Sequence, residues 1–237
     1  MEIYEGPEKV PFRILVYGVP GIGKTTFASH APGALIVQLE KGAHRLNCAK
    51  TSHVKSFEEF LRFLWEVKDN DKYETIVLDS LDALERLATL KICKEEGVAK
   101  ISDVPYGRGW AMVGELMNNV LEKLDVIQEC GKNIILIAHS KLEKVSSPTE
   151  GEFSRYNVEV AGQSAKTSFQ KWSDMIIFCN WKEIEDGNRS VRMRCGFTEE
   201  TRSYMAKDRY GVPAIFPLNG IEFFTNLNKL IEGETNE

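Results

Sequence analysis

Gly18-Val19-Pro20-Gly21-Ile22-Gly23-Lys24-Thr25 decides the fold. The run has the form G-x-x-x-x-G-K-[ST] and follows directly on the apolar segment Phe12 to Tyr17, which reads as a buried strand. A glycine-rich turn lets successive backbone N–H groups converge on phosphate oxygens. Lys24 is placed to reach β- and γ-phosphates and the Thr25 hydroxyl to ligate Mg2+, with Gly18, Pro20, Gly21, Ile22, Gly23 and Thr26 completing the cradle. Thr25 to His30 reads as a short helix ending before Pro32, its N-terminus facing the phosphates. A chance glycine-rich turn is the bland alternative, and the strand in front and helix behind argue against it. The expected ligands are a nucleoside triphosphate, taken as ATP, and Mg2+.

Working outward, apolar runs alternate with helical patterns up to about residue 180, the signature of a parallel sheet covered on both faces. The expected strands are Phe12 to Tyr17, Ala34 to Leu39, Thr75 to Leu78, Asn133 to Ala138 and Asp174 to Cys179. Ser56 with Glu59 opens a helix in capping-box style, Ser80 opens a second that Gly97 ends, and a third runs from about Gly109 to Cys130. Two segments break the alternation and read as loops: Gly97 to Gly109 and Lys141 to Lys166, the latter with a Ser146-Ser147-Pro148-Thr149-Glu150-Gly151 stretch at its middle. Later, shorter runs (Val191 to Cys195, Tyr204 to Lys207) fit an antiparallel extension, and a last helix covers about Ile221 to Ile231. The fold class is α/β, a mostly parallel sheet flanked by helices with a short antiparallel extension.

The 237 residues are expected to form one domain, with a core over 10–215 and a C-terminal helix and tail over 216–237. A net charge of −5 argues against a protein that coats nucleic acid by bulk attraction, but a local basic patch can still bind it, so overall charge does not decide the question of DNA. Five cysteines with no C-x-x-C pair fit reduced thiols in a cytosolic protein and argue against zinc. No apolar run is long enough to span a membrane, and Glu2, Glu5 and Glu8 are unlike a secretory leader, so cytoplasmic residence is expected, the host cytosol if the chain is phage-encoded.

Thr75-Ile76-Val77-Leu78-Asp79 is an apolar strand ending in an acid that would hold Mg2+ or, more blandly, cap the next helix. Position 80 is serine, so no glutamate adjoins Asp79 to activate water. Glu40, at the end of Leu35-Ile36-Val37-Gln38-Leu39, is the candidate base, against a solvated turn carboxylate. The P-loop, the strand ending in Glu40, Val77-Leu78-Asp79-Ser80 and Ile134-Ile135-Leu136-Ile137-Ala138-His139-Ser140 together resemble the RecA-type core. The resemblance implies that Glu40 is the general base, that His139 is the sensor, and that the sensor strand lies between the P-loop strand and the Asp79 strand. RecA has glutamine at the sensor position, so His139 leaves open a contact to the γ-phosphate, to Glu40 or to both, or no γ-phosphate contact at all.

The chain is similar to phage-encoded RecA-like proteins, some acting in single-strand annealing and recombination, over roughly residues 10–215. The shared residues are Gly18 to Thr26, Tyr106-Gly-Arg-Gly109, Ile137-Ala-His-Ser140 and Ala206-Lys-Asp-Arg-Tyr-Gly211. The resemblance implies that Lys207 and Arg209 reach across a subunit interface of a ring or filament to a neighbour's γ-phosphate, the alternative being a solvated basic pair on an edge strand. It also implies that the two broken segments bind single-stranded DNA, through Arg108, Lys141, Lys144, Arg155 and Lys166, with Phe153 and Tyr156 available for stacking. Glu143, Glu150, Glu152 and Glu159 dilute that charge, and a flexible solvated loop is the alternative. The expected partners are single-stranded DNA, further copies of the chain and a single-strand-binding protein, with no membrane. A GTPase is disfavoured because His139-Ser140-Lys141-Leu142 stands where an Asn-Lys-x-Asp signature would, and a small-molecule kinase because Arg189, Arg192 and Arg194 fall on a strand pattern instead of a lid. The rival from outside the enzymes is a nucleotide-gated assembly module.

Overall fold

Strand residues buried on both faces explain the centre of the molecule, where Ile14, Leu15, Val16 and Tyr17 are all fully buried. A computed structural model describes residues 8–147, 149, 151–186 and 189–233. Pro148, Glu150 and the N-terminal Glu2 and Glu5 of the sequence reading lie outside them. The elements are β1 (Arg13–Gly18), α1 (Lys24–Ala28), β2 (Ala34–Gln38), β3 (Ala49–Lys50), α2 (Phe57–Val67), β4 (Thr75–Asp79), α3 (Leu81–Glu95), α4 (Gly109–Glu129), β5 (Asn133–Ser147), β6 (Gly151–Val158), α5 (Gln163–Trp172), β7 (Met175–Asp186), β8 (Arg189–Phe197), β9 (Ile215–Pro217) and α6 (Gly220–Glu232).

The strands join in one sheet of order β3-β2-β4-β5-β1-β7-β8-β9, with β6 paired to the outer half of β5. Pairings from β3 to β7 are parallel, while β7 with β8, β8 with β9 and β5 with β6 are antiparallel. This is the expected α/β class, a mostly parallel sheet with an antiparallel extension, and β5 lies between β1 and β4. Alternation along the strands sends Leu15, Tyr17, Val37, Leu78 and Leu136 to a core shared with α2, α3, α4 and α5. Ile14, Val16, Ile36, Val77 and Ile135 face the opposite core, with Phe27 of α1 and Phe223 and Phe224 of α6.

Local signals account for the helix ends. The Ser56 hydroxyl accepts from Glu59 N–H at 3.1 Å, while the Glu59 carboxylate accepts from Lys55 N–H at 2.8 Å, one residue earlier than a strict capping box. Gly131, at φ 85°, closes α4, a backbone region that favours glycine.

Two expectations need correction. Lys141 to Lys166 is no loop: β5 runs on without a break to Ser147 and returns as β6, so an antiparallel arm projects beyond the parallel sheet, followed by α5. In α5 the sequence showed little apolar periodicity, yet Ala165 and Phe169 are buried, and Ala161 and Gly162 N–H groups donate to the buried Glu85 carboxylate at 2.8 and 2.9 Å. Tyr204 to Lys207 forms no strand, only single bridges to Tyr156 and Ile176. Gly97 to Gly109 contains two short 3-10 turns, Ile101–Asp103 and Pro105–Gly107. Cys93, Cys179 and Cys195 are buried thiols, and Cys130 is exposed. Among the described residues no helix is long and apolar enough to cross a membrane.

Candidate active site

The P-loop begins where β1 leaves the sheet, and α1 starts directly behind it, so Lys24 is the first helical residue. Gly23, at φ 107°, makes the left-handed turn that L side chains disfavour. Lys24 is buried, and its ammonium donates to the carbonyls of Gly18 at 2.9 Å and Val19 at 3.2 Å. Burial lowers its pKa because two neutral carbonyls do not replace the lost water, an arrangement that an anion would relieve.

Thr25 and Asp79 meet across the same cleft, the Thr25 hydroxyl donating to Asp79 Oδ2 at 2.9 Å. Asp79 Oδ1 is buried with no hydrogen-bond partner among the described residues. Burial pushes the Asp79 carboxyl up to about 6, and Glu40 adds to the rise. A buried carboxylate with one orphaned oxygen beside a hydroxyl is a donor set that fits Mg2+, which accepts hard oxygen ligands and keeps several waters.

Glu40 follows the end of β2 and His139 lies within β5, on either side of β4. Asp79 carbonyl accepts from Leu39 N–H at 2.8 Å and Glu40 N–H at 3.0 Å, tying the turn after β2 to the end of β4. His139 lies opposite Gly18 in the β1–β5 register and so stands beside the start of the P-loop. Its Nδ1 is 3.1 Å from Asp82 Oδ2, and its backbone N–H donates to Asp82 Oδ1 at 3.3 Å. The Asp82 hydrogen bond raises the His139 pKa. For Asp82 itself burial pulls upward, but the His139 contacts win and hold it below its ordinary value. Polar atoms of Glu40, Asp82 and His139 all lie within 4.8 Å of one another. Gly21, Gly23, Lys24, Thr25, Thr26, Glu40, Asp79 and His139 line one cleft. Asp82 went unnoticed in the sequence because a first-turn acid of a helix has an ordinary reading, and nothing local names a partner 57 residues away.

The remaining candidates lie elsewhere. Asp174, just before β7, accepts from Arg13 Nε at 2.9 Å and Nη2 at 3.0 Å, at the amino edge of the sheet and thus opposite the P-loop. Arg209 Nη1 joins the same carboxylate at 3.0 Å. Lys207 donates to the carbonyls of Gln170, Lys171 and Ser173, closing the end of α5. Neither residue stands near its own P-loop.

The cations assigned to DNA divide. Arg108, Lys141 and Lys144 are exposed. Lys166 is 3% exposed and bonds both oxygens of Glu143, at 2.6 and 2.8 Å, so it has no charge to offer a phosphate backbone. Arg155 is bonded to Glu200. Tyr156 stacks on Phe178 at 5.3 Å within the core, and Phe153 carries the Arg202 guanidinium 5.0 Å above its ring. Lys166 and Tyr156 are therefore structural.

The AAA domain family matches residues 11–210. The SPbeta prophage-derived uncharacterized protein YorG of Bacillus subtilis (strain 168) is 22% identical over 202 residues, covering 83% of this chain. The chain spans 59% of that relative's length. A KaiC-like protein of Pyrococcus horikoshii OT3 aligns structurally over 81% of this chain and 79% of its own, at 16% identity and a TM-score of 0.44.

Proposed function

The chain belongs to the AAA domain family, and on that premise we propose that it is a Mg2+-dependent ATPase of RecA-like type with Glu40 as its general base. The observation that carries the reading is the convergence of Lys24 and Thr25 from the start of α1, Glu40 and Asp79 from the ends of β2 and β4, and His139 from within β5 on one cleft.

In this mechanism the P-loop amides and Lys24 bind the β- and γ-phosphates, and the buried amine regains through phosphate the charge compensation that its carbonyl partners lack. Thr25 and Asp79 would hold Mg2+, which when bound offsets the negative charge of the phosphates. Glu40 orients the attacking water and takes its proton. His139, held by Asp82 through Nδ1, keeps its other ring nitrogen free to meet the γ-phosphate or Glu40. Arg209, and less directly Lys207, would act on a neighbouring copy, since both lie at the edge of the sheet away from their own P-loop.

Glu40→Gln should retain ATP affinity and lower turnover by about two or more orders of magnitude, because only proton abstraction is lost. Hydrolysis at the wild-type rate in Glu40→Gln would remove the base from its assigned place.

A second reading, action on single-stranded DNA in phage recombination or annealing, draws support from the exposed Lys141 and Lys144 on the β5–β6 arm and from the prophage-derived relative. Titration of labelled single-stranded DNA with ATP analogue and Mg2+ tests it. Absence of binding at low salt would leave a nucleotide-gated assembly module as the better account.

A further inference from the structure

The two flanks of the P-loop are differently equipped. Glu40, Asp79 and His139 all stand on the side of β2, β4 and β5. The other flank, toward β7 and β8, has a cation that no step so far uses. Gly196 of β8 lies opposite Cys179 of β7, which lies opposite Gly18 of β1. Two residues from Gly196 along β8, Arg194 pairs with Trp181, just beyond the level at which the P-loop starts. The Arg194 carbonyl accepts from Leu218 N–H at 2.9 Å, which fixes this backbone. Alternation puts its side chain on the Gly196 face, the face of Phe216 and α1.

There the guanidinium lies against the P-loop: a β-carbon built on Gly23 would come within 3.2 Å of Arg194 Nη1. The residue is exposed, and among the described residues no hydrogen bond or ion pair engages its side chain. Other arginines differ in this respect. Arg13 and Arg209 hold Asp174, Arg155 holds Glu200, and Arg192 lies 5.2 Å over the Trp181 ring. A cation beside a loop of converging N–H groups and a buried lysine meets a repulsive field, unless an anion lies between them.

We propose that Arg194 is a second, cis-acting cation of the nucleotide site, donating to the α- and β-phosphates from the β7–β8 flank. This rests on reading the cleft as a nucleotide site. A triphosphate whose γ end lies among Glu40, Asp79 and His139 must extend its α-phosphate the other way along the P-loop, toward Arg194. The contact is shared by diphosphate and triphosphate, so Arg194 contributes to binding without distinguishing the two.

Calorimetric titration of wild type, Arg194→Ala and Arg194→Lys with MgADP and MgATP tests this, with thermal melts to check that the variants fold. Arg194→Ala should weaken both nucleotides alike, by about tenfold, and Arg194→Lys should recover part of the loss. Unchanged affinity for both in Arg194→Ala would overturn the inference alone, as would a loss confined to MgATP, which would move the residue to the γ-phosphate. Wild-type protein that binds neither nucleotide would instead overturn the reading of the cleft, and the inference with it.

Discussion

The P-loop and the β5–β6 arm each bury a lysine, and the two are held in opposite ways. Lys24 is 6% exposed and has only neutral carbonyls for partners, whereas Lys166 is 3% exposed and has both oxygens of a carboxylate. Beside a loop of converging N–H groups, a buried ammonium without a counter-charge favours an anion; one that is fully paired is a staple. Location decides with it: Lys132, 5% exposed, also donates only to carbonyls, those of Asn70 and Tyr73, but lies away from the P-loop. Glu143 completes the second case by also accepting from Asn157 at 3.0 Å, so the arm's root is one polar network.

Substitutions on the two sides should therefore have opposite effects. Lys24→Ala should weaken ATP binding by about a hundredfold or more, by removing the charged donor to the phosphates, and leave the melting temperature of the ligand-free protein no lower. Calorimetric titration and a thermal melt on the same sample check both halves. Glu143→Ala should do the reverse, stranding Lys166 and costing roughly 3 kcal/mol of stability by denaturant unfolding while the folded protein binds ATP normally. Loss of stability in Lys24→Ala, or loss of ATP affinity in Glu143→Ala, would erase the contrast.

A further expectation concerns the acid side of the cleft. The Asp79 carboxyl, raised to about 6, favours its protonated form in the fold, so its contribution to stability is present at acid pH and is lost as pH rises from about 4 through 6. Asp79→Asn removes that loss. Without Mg2+ it should be more stable than wild type at pH 8, by roughly 3 kcal/mol at most, with no advantage near pH 4. Mg2+ with nucleotide should stabilise wild type more than the variant, which keeps the P-loop and Lys24 but loses a metal ligand. The smallest effect is expected at Asp82→Asn, where His139 loses the partner that raises its pKa and should titrate at lower pH by NMR. An unmoved His139 would mean that Asp82 does not hold the ring.

Most of the site could be read from the sequence because its parts are local. The P-loop is a contiguous motif, and Glu40 and Asp79 each close a run of residues buried on both faces. What could not be read depends on pairing across long separations. Beyond Ala138, β5 continues as Ser140 to Ser147, a polar stretch indistinguishable from a loop until β6 supplies its hydrogen bonds. Lys166 reads as a free cation because Glu143, 23 residues earlier, meets it only through the arm. Arg194 reads as one of three scattered arginines, since its place beside Gly23 depends on the register of β8 against β7 and of β7 against β1.

The unbroken course of β5 from the core into the arm sets rules for anyone redesigning this protein. Since successive side chains of a strand alternate faces, a residue inserted between Ala138 and Lys141 would invert everything beyond it, turning Glu143 away from Lys166 and Asn157. Material added between Ser147 and Gly151, which pair at the far end of the ladder, leaves that count intact. A fluorophore, an affinity tag or a whole guest domain belongs at that tip, where it can grow without shifting His139 beside the P-loop.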